Sequence, residues 1–433
     1  MSQSKLLLTM EFISGIVFSI LSVIAFYIFA KKLLTIKRNI HLGRPVELND
    51  QPIARWKNVF LLALGQKKMF RNIPVALLHL ILYVGFIIIN TELLEIIIDG
   101  IFGTHRFFKP FLGALYPILI NSFEVLALLV FVACLFFLSR RNFTRVKRLI
   151  SNDLTGWPKT DANLILVIEI VLMGLFLLMN AADPTANFII SSWIKPSLST
   201  LDAHQLHTIE QTAWWMHILG IYAFMNYLPY SKHLHIVLAF PNAYYASLEP
   251  KGKMHNMVAV QNEVLYAMQP ELAPTNAAAP EKFGAKDVMD LSWKNLMDAY
   301  SCTECGRCSA ACPANSTGKL LSPRKIMMDT RDRLEIVGKN IDANGQFVDD
   351  GKSLLNDHIT IEELRACTTC NACVEECPVS ISPMDIIIEL RRSLIMEDSN
   401  APSEWNGMFS NIENNFAPWK FAPDDRDAWT KQS

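Results

Sequence analysis

Eight of the nine cysteines fall in two runs of identical spacing. Cys302, Cys305, Cys308 and Cys312 precede Pro313, and Cys367, Cys370, Cys373 and Cys377 precede Pro378, so each run reads C-x2-C-x2-C-x3-C-P. Three thiolates this close can wrap three corners of an iron–sulfur cubane, and in paired runs of this kind the fourth cysteine ligates the other cluster. Two [4Fe-4S] clusters are therefore expected, one on Cys302, Cys305, Cys308 and Cys377, the other on Cys367, Cys370, Cys373 and Cys312. Gly306, Ser309, Ala310, Ala311 and Ala372 let the backbone come close enough to donate N–H bonds to sulfur. Each proline then turns the chain away from the metal. Structural zinc prefers paired CxxC units, and disulfides need an oxidising compartment, so neither fits a duplicated triple spacing. The ninth cysteine, Cys134, lies in an apolar run and reads as an inert buried thiol.

The rest of the chain must position and connect these cysteines. Of 433 residues 51% are hydrophobic and only 19% charged, with a mean hydropathy of +0.23, which is a membrane composition. A formal net charge of -1 excludes an electrostatic case for nucleic acid. Apolar runs long enough to span a bilayer cover 6–30, 73–98, 111–138, 164–180 and 213–230. The first lacks a small-residue cleavage site and reads as a retained anchor.

Basic residues orient these runs. Lys31, Lys32, Lys37, Arg38, Arg44, Arg55, Lys57, Lys67, Lys68 and Arg71 follow the first, and Arg140, Arg141, Arg145, Lys147 and Arg148 follow the third. Those segments should be cytoplasmic, with the N-terminus outside and the chain re-entering the cytoplasm at Ser231. A Pro/Ala-rich stretch, 269–282, reads as a linker or strap. After each cysteine run comes Ser-Pro (Ser322-Pro323, Ser382-Pro383), the start signal of amphipathic helices at 324–334 and 384–395. The expected division is 1–240 membrane bundle, 241–282 linker, 283–400 cluster domain and 401–433 partner-docking tail. The fold class is all-α.

Among the ten histidines, His79 lies roughly 9 Å into the second apolar run from its cytoplasmic end, at 1.5 Å per residue. His235 follows the fifth run and His217 lies near its outer end. The second and fifth runs are antiparallel, so His79 and His235 can meet near the cytoplasmic face, as imidazoles holding a b-type haem do. Packing roles for both are the plain alternative.

His217 to His235, with Leu228-Pro229-Tyr230-Ser231-Lys232 between, resembles the fifth helix of the respiratory nitrate reductase gamma-subunit family, five-helix cytochromes b with two haems. His79 matches the first histidine of that family's second helix. The family's next histidine on that helix falls on Ile89 here. One haem through His79 and His235 is expected, and His217 lacks its family partner for a second. The stretch from Phe283 to Trp429 resembles heterodisulfide-reductase C-type subunits, through Cys302-Thr303-Glu304-Cys305-Gly306-Arg307-Cys308, Thr317-Gly318-Lys319 and Arg391-Arg392. It looks especially like membrane oxidoreductases in which a gamma-like cytochrome is fused to this domain. Many such chains continue past a Pro-Trp and Arg-x-x-Trp stretch (Pro418-Trp419 and 426–429 here) into CCG domains, so those are expected as a separate subunit.

The resemblance implies an electron relay between electron-transfer flavoprotein, or a heterodisulfide-reductase B-like (CCG-domain) subunit, and menaquinone, in a bacterial inner membrane. Quinone chemistry needs protons, and ionisable groups in apolar helices are usually functional. Glu124, Glu169 and Lys232 are the candidates, with Glu11, Glu92 and Glu95 behind them. The alternative is a haem-less anchor for an iron–sulfur relay.

Overall fold

The computed structural model describes residues 3–431 except 145, 186–187, 251, 275–281, 421–422 and 426, and omits the side chains of 3–11. Arg145, Arg426, the side chain of Glu11 and half of the stretch 269–282 thus lie outside the described residues.

Every apolar run is helical: α1 Gln3–Ile40, α2 Ile73–Phe102, α3 Leu115–Asn142, α4 Trp157–Ala182 and α5 Ala203–Tyr227. Helices α1 to α4 are long and apolar enough to cross a membrane. Helix α5 spans 25 residues but opens with His204, Gln205, His207, Thr208, Glu210, Gln211 and Thr212, which take it out of that group. Side-chain caps mark the starts of α5 and α2. Asp202 and Gln205 form a reciprocal capping box at the start of α5. Asn72 caps α2, whose C-terminus is closed by Gly103 at φ 66°.

Helix α4 packs between α3 and α5, and α1 packs against α2 and α5. Tyr116, Ile120, Phe123, Ala127 and Val130 of α3 form one core with Leu172, Met173 and Phe176 of α4 and Ala213 and Phe224 of α5. Small residues allow close approach: a Cβ on Gly85 would collide with Val130, and one on Gly220 with Leu172. The outward faces stay apolar, with Phe12, Val23, Ile73, Leu94, Ile118 and Val132 exposed.

The C-terminal part is also helical, and no strand occurs among the described residues. Its main helices are α6 His235–Tyr244, α7 Trp293–Ser301, α8 Arg307–Ala311, α9 Pro323–Asn344, α10 Ala372–Glu376 and α11 Pro383–Met396. Ser322 and Ser382 each accept a backbone N–H three residues on, so both Ser-Pro starts are real. Helix α9 runs ten residues past its expected end at 334, to Asn344, and stops at Gly345 at φ 78°.

This part sits directly on one end of the bundle. Ile36 and Ile40 of α1, with Leu228 and Leu234, share a core with Leu296, Ala299, Tyr300, Ile326 and Leu390. Charge pairs tie the same seam: Lys32 to Glu335 at 3.1 Å and Arg44 to Glu389 at 3.1 Å. Arg324 Nε donates to Asp153 Oδ2 at 3.0 Å and its Nη1 to the Arg148 carbonyl at 2.8 Å.

Candidate functional site: a cavity from the cysteines to the histidines

Helices α8 and α10 pack side by side and bring the two cysteine runs together. Burial pushes the Cys308 thiol well up, and Cys305, Cys302, Cys377 and Cys373 push it further. Cys373, raised to about 12 mainly by burial, feels Cys367, Cys312 and Cys370. Cys302 is pushed up to about 12 and Cys377 to about 11, again chiefly by burial. Cys377 is thus among the neighbours of Cys308, and Cys312 among those of Cys373. Crowded, buried thiols that raise one another form a donor set that a cationic metal would relieve.

The loops around them repeat at backbone level. Glu304 and Thr369, each two residues past the first cysteine of a run, have φ of 53° and 55°. Gly306 and Asn371, two further on, have φ of 72° and 63°. Left-handed conformations are costly for a side chain, and Gly and Asn carry them best. A Cβ on Gly306 would also strike the Arg324 guanidinium. Thr369 N–H donates to Cys367 Sγ at 3.4 Å and Ile381 N–H to Cys377 Sγ at 3.3 Å.

A cavity of about 880 Å³ runs from these cysteines into the bundle. Cys302, Cys305, Cys308, Cys373 and Cys377 line one end, and His79, His217, His233 and His235 line the interior. Each candidate imidazole is oriented through Nδ1. His79 Nδ1 meets Gln66 Oε1 at 3.1 Å, His235 Nδ1 the Lys232 carbonyl at 3.0 Å, and His217 Nδ1 the Leu172 carbonyl at 3.0 Å. The two backbone carbonyls fix the tautomers of His217 and His235 with the Nε2 lone pair free, the state of a metal-ligating histidine, and the Gln66 amide oxygen favours the same tautomer at His79.

Two further polar atoms fit an anionic guest. Arg141 Nη1 and Tyr83 Oη are buried, have no hydrogen-bond partner among the described residues, and belong to residues lining the same cavity. Tyr83 lies one turn beyond His79 on α2. The donor set, the tautomers and these orphaned donors all suit a b-type haem.

Sequence reasoning gave His233 no role, yet its ring stands 5.5 Å from that of His235. Burial pushes it down to about 3, with help from His235 and His79, so it is neutral. Gln66 carried no sequence signal. Arg141 was legible only as a marker of topology.

The proton candidates separate. Glu124 is not among the cavity-lining residues. Its carboxylate accepts from Asn180 Nδ2 at 3.1 Å, Ile190 N at 2.9 Å and Ser191 N at 3.1 Å, which is a packing role. Glu95 accepts from Phe108 N at 2.8 Å and Tyr116 Oη at 2.9 Å. Glu169 and Glu92 line the cavity, and no hydrogen bond to either carboxylate is made by a described residue. Lys232 also lines the cavity, but its ammonium is held by the Pro158 carbonyl at 2.7 Å, by Glu304 and, at 3.8 Å, by Asp161.

Comparison with known proteins agrees with the cysteine chemistry. Residues 301–381 match the 4Fe-4S dicluster domain. The chain is 26% identical over 453 residues to the probable iron-sulfur-binding oxidoreductase FadF of Bacillus subtilis, covering 97% of this chain and 61% of that protein. It is 26% identical over 425 residues to the EtfAB:quinone oxidoreductase of Syntrophomonas wolfei, covering 89% and 55%. It is 36% identical over 119 residues to the C-type subunit of the ferredoxin/F(420)H(2)-dependent CoB-CoM heterodisulfide reductase of Methanosarcina acetivorans, covering 27% and 60%. The chain thus spans little more than half the length of the first two relatives. No solved structure matches. Two of these relatives are named oxidoreductases and the third a heterodisulfide reductase subunit, and this chain carries a 4Fe-4S dicluster domain together with four helices long and apolar enough to cross a membrane.

Proposed function

We propose that this chain relays electrons between a cytoplasmic redox partner and the membrane quinone pool, through two [4Fe-4S] clusters and one b-type haem. The observation that carries the reading is the single cavity lined both by cysteines of the two runs and by His79 and His235. The clusters, with the swapped ligand sets read from the spacing, and the haem, on His79 and His235, supply one-electron transfer when bound. Arg141 and Tyr83 offer the unpaired donors that would meet the carboxylates of such a haem. On this reading the bundle is a cytochrome of the nitrate reductase gamma type, with α5 as the fifth crossing, the N-terminus outside and the cysteines in the cytoplasm. The membrane is that of a bacterial cell, and the quinone is menaquinone.

His217 keeps the orientation of a ligand, while Ile89 offers it no second nitrogen. This inner region, with Glu169 and Glu92 on its wall, is where a quinone head group would find a proton-carrying carboxylate. The names of the relatives support electron-transfer flavoprotein or a heterodisulfide-reductase B-like subunit as the partner.

The test is a reduced-minus-oxidised visible spectrum of the purified protein, with haem, iron and acid-labile sulfide counted per chain. One haem with about eight cluster irons is the expected result. Clusters without haem would leave an anchored iron–sulfur relay and remove the cytochrome. Two haems would give His217 a partner and displace the quinone from that region.

A further inference from the structure

At the end of the bundle remote from the cysteines, three elements bring a histidine and two carboxylates to one point. His105 comes from the turn after α2, Asp183 directly follows α4, and Glu210 lies in the second turn of α5. His105 Nε2 is 3.5 Å from Asp183 Oδ2, and one donor atom from each of the three lies within 4.8 Å of the others. Donors on one tetrahedral zinc, bound at about 2.0–2.2 Å, stand roughly 3.4 Å apart. His207, one turn before Glu210, has its Nδ1 3.8 Å from Glu210 Oε2.

A second observation points to a missing cation. Glu210 is only 9% exposed, and no described residue donates a hydrogen bond to its carboxylate, although the Asp183 carboxylate is its neighbour. Two buried like charges this close call for a positive partner between them. Asp183 is itself firmly aimed. Arg106 Nε and Nη2 donate to its Oδ2 at 3.1 and 2.8 Å, and Thr185 N and Oγ1 donate to its Oδ1 at 2.7 and 2.7 Å. Ligating carboxylates are commonly held by such outer hydrogen bonds. Arg106 offsets one of the two negative charges, and a proton on His105 or His207 offsets the other until a metal ion displaces it; the exposed His105 gives the entry path.

We propose that His105, Asp183 and Glu210 bind a divalent transition-metal ion, zinc above all, with His207 within reach as a fourth ligand. The imidazole favours zinc over magnesium or calcium, which want oxygen alone. A bound ion would pin the turn after α2 to the ends of α4 and α5.

The experiment uses the full chain in detergent with its clusters intact. The protein is equilibrated with Zn2+, dialysed against metal-free buffer, and its zinc, iron and sulfide are counted in the same samples as those of His105→Ala and Glu210→Gln. Wild type should retain about one zinc per chain with iron unchanged. Both variants should hold it at least ~10-fold more weakly. His105 is exposed, so its variant tests the site without disturbing the packing. No zinc retained by wild type, equal zinc in wild type and His105→Ala, or zinc gained only as iron is lost from the cysteines, would each overturn the proposal.

Discussion

At the scale of single residues, an imidazole whose Nδ1 is already engaged can offer only Nε2, and this decides what its loss should do. Replacing His79 or His235 by alanine is expected to abolish b-type haem absorbance while about eight irons and their sulfide remain, since the cysteines belong to separate loops. The His217→Ala protein should keep its haem. Spectra and iron counts on the three variants check this together. The buried glutamates invite the opposite contrast. Glu124 accepts three hydrogen bonds, two of them from the backbone N–H groups of Ile190 and Ser191. A glutamine there must turn its amide N–H against one of those donors, so Glu124→Gln should lower stability by about 1–3 kcal/mol, read as a lower thermal midpoint, without changing turnover per folded molecule. Glu169→Gln should leave the midpoint alone and slow quinone turnover, because its carboxylate faces the cavity and holds no described partner.

At the scale of elements, the repeated loops show which positions are fixed by backbone geometry. Gly306 combines a φ of 72° with the Arg324 guanidinium against its α-carbon. Gly306→Ala should therefore unseat the loop that gathers Cys302, Cys305 and Cys308, and cluster iron should fall from about eight to about four per chain. Its counterpart Asn371 also has positive φ, and Asn371→Gly should be tolerated with the iron count unchanged. Helix α9 adds a second constraint. Its first turn carries Arg324, fully buried and bound to Asp153 from the α3–α4 connection, so the start of a cluster-domain helix is also its fastening to the bundle.

At the scale of the whole molecule, the cysteine part and the bundle share one apolar core and several charge pairs across it. Removing the metal should therefore have a graded effect. Metal-ligand binding energy is folding energy for a domain built around its metals, whereas α2 to α5 are held by their own core. Chelation of iron under oxidising conditions is expected to open residues in the 301–381 region to protease and leave the 73–227 bundle protected, as peptide mapping by mass spectrometry would show.

Much of this protein could be read from local pattern. The duplicated cysteine spacing, the apolar runs, the Ser-Pro helix starts and the histidines at 79, 217 and 235 are set by covalent spacing and short-range backbone chemistry, and each is visible in a few consecutive residues. What tertiary structure alone decided is how polar groups inside or at the ends of the helices pair. Gln66 orienting His79, Glu124 capping the turn at Ile190, His233 entering the cavity, and His105 meeting Asp183 and Glu210 all depend on how far each helix is rotated about its axis. A helix apolar on every side carries no amphipathic stripe to encode that rotation, so the packing of its neighbours has to set it.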